Sequence, residues 1–223
     1  MIALECLTMR RLVVPAVVLA FAACSPDREI PASPEERLLR AARAGDLPAA
    51  TRLIVEGADI ETRHPGNGWT PLMWTATRGH AEGVKLLVAR GANVEAQDTR
   101  GGTALMNAAR WGRLDGVAAM LDAGARIGAR DHIGWNALMW AAFKGQTRTA
   151  AFLLDRGAQL ESRDPEGRRP LMLAAMAGHE ATVKLLLARG ARSDARGPEG
   201  ATAADLARQK GYPEVARLLE SAR

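Results

Sequence analysis

The amino-acid sequence predicts an all-α solenoid of stacked helix-turn-helix units, and three observations carry that prediction. Gly68, Gly101, Gly134, Gly167 and Gly200 stand 33 residues apart, each opening a variant of Gly68-Trp69-Thr70-Pro71-Leu72-Met73. A fixed period in this range marks a stack of small units, none of which can bury its apolar face alone. Within each period, two apolar runs at helical spacing are separated by a glycine. Ala, Gly and Leu dominate while aromatic residues make up only 4%, a composition suited to helices packed closely together. Apolar residues at 48% and charged residues at 25% belong to a folded chain rather than a disordered one.

The first element differs in kind from the rest. Arg10-Arg11 precede an apolar run from Leu12 to Ala23, followed by Cys24. Basic residues, a short apolar segment and small residues before a cut are the marks of a secretory signal, assigned to residues 1–23, with Met9 as an alternative start. The run is too short for a membrane-spanning helix, which needs about 20 residues. Phe21-Ala22-Ala23-Cys24-Ser25 resembles a bacterial lipobox. That resemblance implies lipidation of Cys24 as the first residue after cleavage, and Ser25 implies the outer membrane, so the expected setting is the periplasm with membrane contact only through the lipid. Conventional cleavage after Ala22 or Ala23, releasing a free protein, is the alternative. Residues 24–33 carry two prolines and charges and read as an extended tether. Cys6 and Cys24 are the only cysteines, so the exported chain has no disulfide to lean on.

Six units follow. Residues 34–66 form a degenerate N-terminal capping repeat, with Leu38-Leu39, Ala41-Ala42 and Leu53-Ile54 as its apolar pairs. Residues 67–99, 100–132, 133–165 and 166–198 are full repeats, and residues 199–223 are a C-terminal capping repeat whose first helix turns polar at Asp205, Arg208, Gln209 and Lys210. Solenoids need such atypical, water-facing ends. Thr70, Thr103, Asn136 and Thr202 stand where first helices begin, and their side-chain oxygens can accept from free backbone N–H groups. Pro71 and Pro170 fit the first helical position, where no N–H is needed. Arg169 replaces the capping residue of its repeat, which predicts a weaker helix start or another task for this arginine. Gly79, Gly112, Gly145, Gly178 and Gly211 close the first helices. Second helices run through Val84–Val88, Val117–Leu121, Ala150–Leu154 and Val183–Leu187 and end in Gly-Ala pairs. Met73, Met106, Met139 and Met172 share one position in successive repeats and read as adaptable core filling. No Cys or His cluster joins them, so no metal site is assigned.

The whole pattern, Gly-x-Thr-Pro-Leu-Met-x-Ala-Ala-x-x-Gly-His closing on Gly-Ala, resembles the ankyrin repeat over about residues 34–223. The resemblance implies an ankyrin-repeat solenoid of helix-turn-helix units with projecting fingers. It also implies a concave face, lined by fingers and first helices, that binds partners. Asp98, Asp131 and Asp164 match finger residues of the motif. His80 and His179 fall on one motif position and are framework, while Met stands where the family usually has His.

Catalytic chemistry finds no foothold. His179-Glu180 begins like a zinc-protease motif, but Val183 stands where the second His belongs. No serine sits in a Gly-flanked elbow, no Gly-rich loop with Lys cradles phosphate, and no cofactor is implied. A net charge of +5 over the whole chain is mild and mixed along it, which excludes a nucleic-acid footprint. Binding has a positive signal: all five tryptophans lie in the three central repeats, in fingers or first helices. Trp69 and Trp135 precede the motif Thr or Asn. Thr77, Arg78, Arg110, Trp111, Phe143 and Lys144 occupy the variable positions that end first helices, and Arg100 and Arg168 lie in fingers. Trp and Arg dominate protein interfaces, so these ten residues are the expected partner-binding set. Trp74 and Trp140 read as core. The predicted function is a noncatalytic, monomeric protein-binding module with a partner of acidic character. A binder of anionic envelope polymer or lipid head groups is the alternative, and a cryptic enzyme is a third class.

Overall fold

A computed structural model describes residues 32–222; the signal-like segment and Cys24 lie outside them. Six helix pairs follow one another: α1 (Pro34–Ala44) with α2 (Leu47–Val55), α3 (Pro71–Arg78) with α4 (Ala81–Ala89), α5 (Ala104–Arg110) with α6 (Leu114–Asp122), α7 (Ala137–Phe143) with α8 (Thr147–Asp155), α9 (Pro170–Met176) with α10 (Glu180–Ala188), and α11 (Ala203–Gln209) with α12 (Pro213–Ser221). No strand occurs among the described residues, and none of these helices is long and apolar enough to cross a membrane. First helices pack in one row and second helices in another. Neighbours touch more extensively in the first row.

Each pair begins as its capping residue dictates. The Met73 and Met106 amides donate to Thr70 and Thr103 Oγ1 at 3.3 and 3.4 Å, and the Met139 amide donates to Asn136 Oδ1 at 2.9 Å. Thr202 and Asp205 cap each other reciprocally. Such a cap is worth about 1 kcal/mol. Arg169 makes no cap bond. It is buried instead, its Nε 2.9 Å from Glu161 Oε2 of the preceding repeat, off line for a hydrogen bond, while Nη1 donates to the Arg196 carbonyl at 3.4 Å. The cap is replaced by a side chain that ties one finger to the next.

The core runs between the two rows. Met73, Met106, Met139 and Met172 are all at most 2% exposed, packed with Leu72, Val84, Leu105, Val117, Leu138 and their equivalents. Two glycines show how tight the stacking is. A Cβ on Gly145, whose φ is +68°, would meet the His179 ring at 2.6 Å. His179 in turn shares a 3.0 Å hydrogen bond with the Phe143 carbonyl one repeat back, which is the structural use of that motif position. A Cβ on Gly116 in α6 would lie 2.0 Å from the Ala76 carbonyl oxygen of α3, so only glycine allows that approach.

The fingers are cross-braced by repeating polar contacts. Glu61, Glu95 and Glu161 accept from the amides of Asn93, Arg126 and Arg192 in following repeats at 2.7, 2.7 and 3.0 Å. Arg63 and Arg130 donate to the carbonyls of Gln97 and Arg163 at 2.6 and 2.8 Å. These bonds satisfy backbone groups that loops would otherwise leave to water, and they hold the fingers in register.

Candidate protein-interaction face

Three finger aspartates organise the first-helix face. Asp98 Oδ1 accepts from the Arg100 and Gly102 amides at 2.8 and 2.9 Å, closing the finger turn. Asp131 does the same for Ile133 and Trp135 at 3.1 and 2.8 Å, and Asp164 for Glu166 and Arg168 at 3.1 and 2.8 Å. The second oxygen of each carboxylate receives side chains. Trp69 Nε1 and Asn107 Nδ2 donate to Asp98 at 3.2 and 3.0 Å. Trp140 Nε1 donates to Asp131 at 2.8 Å. Trp135 Nε1 and Arg168 Nε donate to Asp164 at 2.9 and 2.6 Å. Tryptophan brings an apolar body and one N–H, and a buried indole needs a partner for that N–H. The aspartates supply it, Asp98 and Asp164 from the far end of the same repeat and Asp131 from the repeat before.

Around these anchors lies a strip of aromatic rings with cations on their faces. Trp69 meets Trp74 edge-on at 4.6 Å, and Trp135 meets Trp140 and Phe143 at 4.7 and 5.1 Å. Arg43 lies over Trp74 at 5.1 Å, Arg110 over Trp140 at 4.6 Å, Lys144 over Phe143 at 5.2 Å and Arg168 over Trp135 at 5.6 Å. Cation–π contacts of this kind are worth about 0.5–2 kcal/mol, more when water is excluded.

The structure divides the ten sequence-assigned residues. Trp111 is 54% exposed, and Arg78, Arg100 and Lys144 are also exposed. Trp69, Arg110 and Phe143 are half-buried on the same strip. Two placements are corrected. Trp135 is 5% exposed, roofed by Arg168 and walled by Phe143, Trp140, Met139 and Leu173, so its ring is core and offers no contact surface. Thr77 is 7% exposed, facing the stack rather than solvent. Arg168 is also less available than its sequence position implies, because Asp164 and Glu166 both hold its guanidinium. Trp74 and Trp140 are half-buried members of the strip, and Trp140 packs against the hydrophobic core as its position implies. Sequence reasoning missed Arg43 and the coupling of tryptophan to aspartate. The second had a readable signal: Trp69 to Asp98 and Trp135 to Asp164 share a spacing of 29 residues.

Between Trp69, Met106 and Trp140 lies a cavity of about 60 Å³ that Arg100 and Arg110 also line. It has room for a small polar group but not for a cofactor, which needs roughly 300 Å³ or more. A wider groove of about 680 Å³ opens between Phe143, Lys144, Met176, His179, Lys210 and Tyr212. Burial, and then the neighbouring Arg100 charge, push the Arg110 guanidinium below its ordinary pKa, with Asp98 and Asp131 acting in opposition. Among the described residues no group of His, Cys, Asp and Glu is placed to hold a metal ion.

The family model described as ankyrin repeats (3 copies) matches residues 38–131 and 138–222. Ankyrin repeat domain-containing protein 40 of Homo sapiens is 37% identical over 67 residues, 30% of this chain and 18% of that protein. The mitochondrial disaggregase of Bos taurus is 40% identical over 68 residues, 30% of this chain and 10% of that protein. A glycerophosphocholine phosphodiesterase of Eremothecium gossypii is 37% identical over 75 residues, 34% of this chain and 6% of that protein. The chain thus spans less than a fifth of the length of these relatives. With six helix pairs, braced fingers and a family match over most of its length, the protein belongs to the ankyrin repeat family, and its stack is a protein-interaction module.

Proposed function

We propose that this chain is a noncatalytic binding module of the bacterial envelope that holds a protein partner on its first-helix face. The observation that carries the reading is the aromatic and cationic strip, with Trp111 exposed at the end of α5, next in sequence to Arg110. The surface is rigid before binding because its rings are pinned by aspartates and cations. Preorganisation lowers the entropy cost of association. The face is a surface for recognition: its aspartates already accept from two or more donors each, and no His lines the small cavity. The envelope setting rests on the N-terminal pattern of residues 1–24, with export to the periplasm and a lipid on Cys24 of an outer-membrane lipoprotein. The module acts as a monomer.

The alternative occupant, an anionic polymer or lipid head group, draws on the same arginine set, Arg78, Arg100, Arg110, Arg168 and Arg169. Two of these five are already paired with carboxylates, Arg168 with Asp164 and Glu166 and Arg169 with Glu161, which thins the cationic surface a polymer would need and favours the protein reading. The test is photocrosslinking in living cells from an unnatural side chain at position 111, with Arg90 on the opposite row as control. A discrete protein adduct from 111 and none from 90 is expected. Equal labelling from both positions would overturn the reading.

A further inference from the structure

Arg126, Arg156, Arg168, Arg169, Arg189 and Arg192 each hold a carboxylate within 3.1 Å. Arg100 and Arg110 do not, although two aspartates stand beside them. Those aspartates are occupied by other donors: Asp98 accepts four hydrogen bonds from amides, Trp69 and Asn107, and Asp131 accepts three from amides and Trp140. Neutral groups therefore consume the local acceptors and leave two cations lining one small cavity. The Arg110 guanidinium lies against the Trp140 face, and its buried Nε has no hydrogen-bond partner. Two like charges near each other in a partly buried site are unfavourable, and a buried donor without a partner is left undersolvated at a cost. Both penalties are relieved by one incoming anion. The next residue, Trp111, is the most exposed aromatic side chain among the described residues.

We propose that Arg100 and Arg110 clamp a single Asp or Glu carboxylate of the protein partner, with an apolar partner side chain beside it on Trp111. This rests on the reading of the face as a protein-binding surface and names the chemistry it selects. Arginine suits the task because its planar fork matches a carboxylate with two parallel N–H bonds. A ring stacked beneath Arg110 fixes that fork before the partner arrives. The cavity, about 60 Å³, admits a carboxylate and excludes a bulky head group.

The test uses the purified full chain as bait for a displayed library of random 12-residue peptides. The expected result is enriched peptides that share an Asp or Glu next to an aliphatic or aromatic residue. Changing that acid to its amide should weaken binding at least tenfold, since it removes one charge of a hydrogen-bonded pair and leaves the arginines without a counter-charge. Arg110→Gln should cost a similar factor against the acidic peptide and little against its amide version, because the two changes remove the same contact. Arg110→Lys should not restore binding, since the fork is lost. Unchanged thermal midpoints for these variants separate lost contact from lost fold. Peptides that need Trp111 but carry no acid would overturn the clamp and leave the protein-binding face standing. If no peptide depends on Trp111, Arg100 or Arg110, and vesicles of phosphatidylglycerol bind through Arg100, both the clamp and the face fall.

Discussion

Trp135 and Trp111 look alike in the sequence, and the structure predicts opposite behaviour when each is cut to alanine. Trp135 is 5% exposed, with ring contacts to Trp140 and Phe143 at 4.7 and 5.1 Å, Arg168 over its face and a 2.9 Å bond from Nε1 to Asp164. Removing a buried tryptophan of this kind costs about 3–5 kcal/mol. Asp164 is not stranded, because Arg168 Nε remains 2.6 Å away, so the loss stays within that range. For a chain of this size each kcal/mol moves the midpoint by about 2–4 °C, giving a fall of roughly 6–20 °C. Trp135→Phe keeps most of the packing and loses the N–H bond, a cost of about 1 kcal/mol. Trp111, at 54% exposure, should change stability by less than about 0.5 kcal/mol when replaced by alanine, yet abolish partner capture. The assay is thermal unfolding by far-UV circular dichroism, read beside capture from envelope extract. Refutation is simple: Trp135→Ala melting with the wild type while losing capture would place Trp135 in the interface and overturn the burial argument.

Other outcomes follow from the same contacts. Gly116→Ala should destabilise by roughly 1–3 kcal/mol through overpacking against the Ala76 carbonyl, where the new Cβ lies at 2.0 Å. Gly83→Ala meets only the Thr75 and Leu47 side chains at 3.0 and 3.3 Å, and the gain in helix propensity of about 1 kcal/mol should bring it near neutral; urea unfolding of both variants checks the contrast. The Asp205 carboxyl is held below its ordinary range, first by the Thr202 hydroxyl. It therefore adds stability above the unfolded carboxylate pKa and loses that contribution as pH falls through its lowered folded value. Asp205→Asn should flatten this part of the acid limb in urea unfolding from pH 6 down to about 2; an unchanged slope would deny Asp205 a role. Cys24→Ser should abolish incorporation of labelled fatty acid in cells, and equal labelling of the variant would end the proposal of a lipid anchor.

Much of this molecule is legible in its sequence. The 33-residue step, the Thr and Asn caps, the first-position prolines and the buried Met set are local or periodic, so the chain itself displays them. The stack, its six helix pairs and its core face follow from that information. What the sequence could not decide is which variable side chains remain free, because that depends on neighbours one repeat away. Trp135 is buried by residues from 139 to 173, and Arg168 is neutralised by Asp164 and Glu166. Arg169 gives up a cap and joins two fingers. Arg110 is one of the residues the repeat pattern singles out, but that it keeps no carboxylate of its own follows only from Asp98 and Asp131 being filled by neutral donors. The sequence by itself determined the repeat and hence the scaffold, since helix caps, spacing and core volume act within a unit or at a fixed period. Only the tertiary structure decided which variable side chains stay exposed and which are buried or paired, because exposure and free charge are properties of side chains meeting across repeats.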